Sequence, residues 1–152
     1  MRGSSQFSHN LSLYVNCLSE DDALVRVSLS SVQLYPSPGA ESDTIIDFID
    51  RGRDRLSTLR FQLEGTSFQK KVWEEARKIR PGSVTSYSCI AKALGKPHGS
   101  RAVGQALRRN KLLILVPCHR VIASDGRLGG FSAAGGLDVK ERLLSIEKRF
   151  YS

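Results

Sequence analysis

The spacing of apolar residues changes once along the chain. From Leu11 to Leu18 and from Ala23 to Leu34 it forms short β-prone runs, and Ala23-Leu24-Val25-Arg26-Val27-Ser28-Leu29 partly alternates as a half-buried strand does. Glu20-Asp21-Asp22 supplies a turn before that strand, and Pro36-Ser37-Pro38-Gly39 stops it. Ile45, Ile46, Phe48, Ile49 and Leu56 suit a helix running from about Ser42, with Asp43 in the first turn, where the helix dipole favours an acid. The first ten residues carry no such pattern and read as frayed. The expectation for this part is a small sheet covered by one helix.

From Gly65 onward the period is that of short helices. Thr66 followed by Gln69 reads as a capping box, and Phe68, Val72, Ala76 and Ile79, widened by Trp73, make one apolar face. Pro81-Gly82 ends this helix. Thr85 or Ser86 caps the next, which buries Ile90, Ala91 and Leu94 and closes at Gly95. After the turn Lys96-Pro97-His98-Gly99, Ser100 caps a third helix from Arg101 to about Arg109. Two short helices so joined resemble a helix-turn-helix unit, and a major-groove reader is the first expectation. Leu112 to Val116 is a short buried strand or extended core segment that Pro117 ends. A stretch with Gly126, Gly129, Gly130, Gly135 and Gly136 follows, then a last helix over Asp138–Lys148 with Val139, Leu143, Leu144 and Ile146 inward. The predicted fold is α/β of the α+β kind. A small N-terminal sheet-plus-helix unit (1–63) packs on a mostly helical C-terminal domain (64–152) that carries the helix-turn-helix.

Composition narrows the class. A chain of 152 residues, 40% hydrophobic and 25% charged, is a globular protein and not a disordered tail. It has no apolar run of membrane-spanning length and no secretory core in the first 20 residues, so a cytoplasmic location is expected, with the nucleus as the alternative. Residues 1–63 carry six Lys/Arg against eight Asp/Glu, whereas residues 64–152 carry 17 against seven. A near-neutral first part joined to a strongly basic second part points to a polyanion, without separating DNA from RNA or an anionic membrane. Cys17, Cys89 and Cys118 cannot all pair within the chain, and their spacing matches no zinc pattern.

Cys118 stands where the apolar segment meets the polar, glycine-rich loop, which can hold a side chain firmly while its sulfur opens on a pocket. The thiolate is the nucleophile, and the neighbouring His119 and Arg120 are groups that can favour it. Arg120 can equally hold a loop through backbone carbonyls. A Cys-His pair alone also permits a peptidase, an acyltransferase or a redox enzyme, although no Cys-x-x-Cys is present. In the third helix the small residues Ala102 and Gly104 allow close approach to a surface. Its Arg101, Arg108 and Arg109 can neutralise phosphates, with Gln105 between them.

Arg101-Ala102-Val103-Gly104, Asn110, Pro117-Cys118-His119-Arg120-Val121-Ile122 and Gly130-Phe131-Ser132 together resemble the O6-alkylguanine-DNA alkyltransferases, with similarity from Phe68 to Glu147. The resemblance implies that Cys118 takes the alkyl group from guanine O6 and keeps it as a thioether, so that each molecule reacts once. It implies that His119 accepts the thiol proton through a water, that Glu147 orients His119, and that Tyr87 donates to guanine N3. The carbonyls of Cys118 and Val121 would receive the guanine amino group and the Ser132 N–H would meet O6. Phe131 forms an aromatic wall, Lys140 is a further substrate-side residue, and Asn110 is a hinge whose side chain satisfies backbone groups. Arg101 becomes a finger inserted from the minor groove where a nucleotide is flipped out, because the reactive oxygen is otherwise held in the base stack. Ala102, Gly104, Gln105, Arg108 and Arg109 complete a low, basic surface against the groove, which replaces the major-groove expectation. The partner implied is double-stranded DNA containing O6-alkylguanine, met by a monomer with no cofactor, no metal and no membrane.

Two departures stand out. Phe131 occupies a position that is often tyrosine, and the segment Phe131–Leu137 is two residues longer than the shortest family form, which bears on tolerance for bulky alkyl groups. Relatives that only recognise lesions carry tryptophan in place of the cysteine, so the intact Cys118 favours chemistry over recognition alone.

Overall fold

The structure is a computed structural model and describes residues 2–6, 13–129 and 136–152. The chain separates into two compact units, one of residues 1–63 with 111–114 and one of residues 64–110 with 115–152.

In the first unit, β1 (Arg2–Gln6), β2 (Tyr14–Glu20) and β3 (Ala23–Ser30) form an antiparallel sheet in sequence order. Asp21 and Asp22 make the two-residue turn between β2 and β3, both at positive φ (49° and 61°), which matches the twist of a tight hairpin and which Asp tolerates. Helix α1 (Ala40–Arg51) starts two residues before the expected Ser42. Gly39 is its N-cap, and the Ser42 hydroxyl closes the first turn by accepting the Gly39 N–H at 3.1 Å. Val15, Cys17, Val27 and Leu29 of the sheet and Ile45, Phe48 and Ile49 of α1 form the core.

Strand β1 corrects the expectation of a frayed start for residues 2–6. Its sequence, Arg-Gly-Ser-Ser-Gln, has no apolar side chain, and its buried residues are held by close approach and hydrogen bonds. A Cβ on Gly3 would lie 2.6 Å from the Gly39 backbone. Ser5 Oγ is 2.8 Å from Ser42 Oγ, and Ser4 donates to Asn16 Oδ1. Asn16, buried on β2, also donates to Ser30 Oγ at 2.9 Å.

In the second unit, α2 (Ser67–Arg77) has the predicted Thr66/Gln69 capping box and ends four residues before Pro81. Trp73 is buried and donates through Nε1 to the Ala106 carbonyl at 2.9 Å, which ties α2 to α4 (Ser100–Arg108). Strand β4 (Thr85–Ser86) leads directly into α3 (Tyr87–Ala93), capped by Ser86. Leu94 is half-buried there instead of buried, and Gly95 closes the helix at φ 72°. The N-cap of α4 is Gly99, one residue before the expected Ser100. Leu112 to Val116, whose first three residues belong to the first unit, is a buried core segment and not a strand: all five residues are buried, but Ile114 turns the chain at φ 73°. A 3₁₀ turn (Cys118–Arg120) then feeds β5 (Val121–Ile122), which pairs in parallel with β4. Helix α5 runs over Leu137–Tyr151, longer at both ends than expected, and buries Val139, Lys140, Leu143 and Glu147, with Leu144 and Ile146 half-buried. The β4–β5 pairing sets the start of α3 beside the chain leaving the 3₁₀ turn.

Candidate active site

Cys118 opens the 3₁₀ turn, so its sulfur is fixed by backbone that is itself tied down. Its N–H donates to the Val116 carbonyl at 2.8 Å, and its own carbonyl accepts the Val121 N–H. Asn110, buried just beyond α4, donates through Nδ2 to the Val116 carbonyl at 3.0 Å and to Cys118 Sγ at 3.4 Å. The backbone-satisfying part expected of Asn110 is present, and the contact with sulfur is additional. Burial pushes the Cys118 thiol above its ordinary pKa, against the opposing pull of the Asn110 hydrogen bond and the Lys140 charge. The resting side chain is therefore a thiol that needs a base.

His119 is fully buried, and its Nε2 lies 2.7 Å from Glu147 Oε1 on α5. Burial lowers its pKa even though Glu147 pulls the other way, so the ring is neutral. A carboxylate on Nε2 selects the tautomer with its proton there, which leaves Nδ1 as the basic nitrogen. Nδ1 is buried with no hydrogen-bond partner among the described residues.

Arg120 meets the loop-holding expectation with one nitrogen only, and the rest of its fork serves Glu147 and not the thiol. Its Nε lies 2.9 Å from Glu147 Oε2 and its second terminal nitrogen 2.7 Å from Oε1, while the remaining one reaches the Ile79 carbonyl at 2.7 Å. Burial alone would raise the Glu147 pKa, but the hydrogen bonds from His119 and Arg120 hold it down to about 2. Arg120 thus keeps a buried carboxylate ionised behind the histidine. A turn-forming Arg next to His gives no hint in the sequence of a partner 27 residues away on another helix.

Lys140 is also fully buried and donates to the Val121 carbonyl at 2.7 Å and to the Leu128 carbonyl. Its ammonium sits 5.9 Å from the centre of the Tyr87 ring. Burial lowers its pKa to about 8, and Cys118 acts in the opposite sense. The Val121 carbonyl keeps a second lone pair for another donor.

A cleft of about 680 Å³ lies over Cys118, within the size range of a small-molecule site. Helix α4 lines it with Arg101, Gly104, Gln105 and Arg108, Tyr87 joins from the start of α3, and Ala123, Arg127 and Gly129 come from the segment after β5. Burial raises the Tyr87 pKa, with Cys118 adding to the effect, so the phenol stays protonated and able to donate. Gly129 (φ 72°) leaves room for that phenol, since a Cβ there would lie 2.5 Å from its hydroxyl. Of the predicted surface residues, Ala102 and Arg109 are exposed but do not line the cleft. Phe131, Ser132 and most of the long loop 131–137 lie outside the described residues. Among the described residues no three His, Cys, Asp or Glu cluster as a metal site, and no helix is long and apolar enough to cross a membrane.

Comparison with known proteins matches residues 67–149 to the family described as 6-O-methylguanine DNA methyltransferase, DNA binding domain. The methylated-DNA–protein-cysteine methyltransferase of Methanosarcina barkeri is 50% identical over 90 residues, 59% of this chain and 56% of that protein. The corresponding Salmonella typhimurium protein is 42% identical over 111 residues, 73% of this chain and 64% of that one. The matched region thus spans between about half and two thirds of these relatives' length. Among solved structures, Mycobacterium tuberculosis OGT in complex with DNA superposes with a TM-score of 0.80 at 27% identity, covering 98% of this chain and 93% of that one. The O6-methylguanine-DNA methyltransferase of Pyrococcus kodakaraensis gives 0.79 at 28% identity, covering 97% and 99%.

Proposed function

The chain belongs to the 6-O-methylguanine DNA methyltransferase family, and from that premise we propose that it repairs O6-alkylguanine, mainly O6-methylguanine, in double-stranded DNA by moving the alkyl group to Cys118. The observation that carries this is a buried thiol under a cleft lined by two arginines of one helix, backed by a His119–Glu147 pair whose basic nitrogen has no hydrogen-bond partner among the described residues.

In the proposed reaction His119 Nδ1 takes the thiol proton through a water, with Glu147 stabilising the resulting imidazolium. Asn110 and Lys140 favour the thiolate that forms. The sulfur attacks the alkyl carbon, the carbon–oxygen bond breaks, and its electron pair passes into the purine. Tyr87 supplies a proton at N3, so neutral guanine leaves. The product is a thioether, which no group in the site can reverse, and the protein reacts once. On this reading α3, the turn and α4 act as a helix-turn-helix unit that meets the minor groove, and Arg101 fills the gap left by the flipped nucleotide. Gln105, Arg108, Arg109 and the small faces of Ala102 and Gly104 complete the contact. The carbonyls of Cys118 and Val121, the Ser132 N–H and the Phe131 ring hold the base. Residues 1–63 are the structural part, residues 64–152 carry DNA binding and the acceptor, and the working form is a cytoplasmic monomer.

Intact-mass measurement after mixing with a duplex containing O6-methylguanine tests the reading. The expected result is a one-to-one gain of one methyl group, absent in Cys118→Ser. Repeated turnover, or an unchanged mass, would sink it.

A further inference from the structure

Arg127 has no part in the reaction above, yet it lines the same cleft as Cys118, Tyr87 and Arg101. It stands on a turn that three contacts hold in place. The Ala123 N–H donates to the Arg127 carbonyl at 2.8 Å, and the Gly126 N–H donates to the Ala123 carbonyl at 3.0 Å. Ser124 Oγ is 2.8 Å from Ser88 Oγ on α3. Gly126 closes the turn at φ 88°, a conformation costly for other residues. The guanidinium is therefore presented from a fixed base.

Its fork is occupied by the neighbouring carboxylate. Both Arg127 Nε and a terminal nitrogen reach Asp125 Oδ2 at 2.7 Å, while Asp125 Oδ1 accepts the Arg127 N–H at 3.1 Å. One carboxylate oxygen thus serves two donors, whereas a phosphodiester offers two anionic oxygens, one to each. The pair is also exposed, 85% for Arg127 and 51% for Asp125, so water screens it and little holds it together against a better acceptor. The remaining arginines of the cleft, Arg101 and Arg108, are on α4. Positive charge therefore reaches the cleft from two separate elements, which a polyanion passing over the reactive sulfur can engage together.

We propose that Arg127 is a phosphate-binding arm of the DNA site on the turn after β5, and that Asp125 fills its fork until a DNA phosphodiester displaces it. The proposal rests on DNA being the partner and adds a contact supplied by a second element. Binding of a short duplex to the whole protein, measured across a salt series, tests it. In Arg127→Ala the slope of log affinity against log salt should become shallower by about one, with a several-fold loss of affinity near 0.1 M salt. Arg127→Lys should restore the slope, because it restores the charge. Asp125→Asn keeps an oxygen for the Arg127 N–H but frees the fork, and should bind DNA several-fold more tightly. A wild-type slope in Arg127→Ala overturns the arm, and unchanged affinity in Asp125→Asn overturns its occupation by the carboxylate. Alkyl transfer from free O6-benzylguanine to the wild-type protein tests the underlying reading separately, since it needs no phosphate contact.

Discussion

Asn110 shows how much one side chain adds to the chemistry of Cys118. Burial makes the thiolate unfavourable, and the Nδ2 contact with Sγ at 3.4 Å is the nearest opposing hydrogen bond. A hydrogen bond to a charged group contributes about 1.5–3 kcal/mol. Asn110→Ala should therefore slow transfer from a free alkylguanine roughly 10- to 100-fold near neutral pH. The loss should narrow as pH rises, because the missing bond acts on deprotonation of the thiol. A single-turnover rate profile lying parallel to wild type at every pH would contradict this. The family resemblance marks the residue as a hinge whose side chain satisfies backbone groups. Its proximity to sulfur depends on how the segment after α4 folds back, which spacing along the chain does not reveal.

At the scale of elements, helix α5 is joined to the 3₁₀ turn through one carboxylate. Glu147 receives His119 and Arg120 at once, and Arg120 carries the link on to the Ile79 carbonyl beyond α2. Glu147→Gln leaves the Arg120 charge buried without its counter-ion, a change that typically costs about 3–5 kcal/mol. Chemical denaturation should show that loss, and alkyl transfer should fall because His119 loses its partner; an unchanged denaturation midpoint would refute the link. Periodicity served α2 and α3 well, since their caps and apolar faces are local properties. It failed for β1, whose Gly3, Ser4 and Ser5 fit by small size and hydrogen bonding in place of hydrophobicity. It also shortened α5, because the ends of a helix are set by solvent and caps more than by the apolar stripe.

For the whole molecule, the buried ionisable groups make stability depend on pH with a definite sign. Glu147 titrates at about 2 in the folded state against 4.5 unfolded, so its contribution is complete above pH 4.5 and disappears as pH falls toward 2. The shift corresponds to about 3 kcal/mol. His119, held neutral with its pKa below 6.5, acts in the same direction, since the unfolded chain takes up that proton first as pH drops below 6.5. Melting temperature should thus decline from about pH 6.5 downward and steeply below 4.5, and Glu147→Gln should flatten the lower part of the curve. A melting temperature level from pH 6.5 to 3 would refute it. The sequence alone determined the mixed α/β class, the change from strands to helices near Gly65, the basic second half and the motif that singles out Cys118, because these follow from local periodicity, charge and a contiguous run of residues. Only the tertiary structure decided that Arg120 serves Glu147, that Asn110 reaches the sulfur, that Lys140 holds the Val121 carbonyl and that Arg127 shares the cleft with Arg101. Each of these is a contact between residues brought together by packing, and burial then sets its strength.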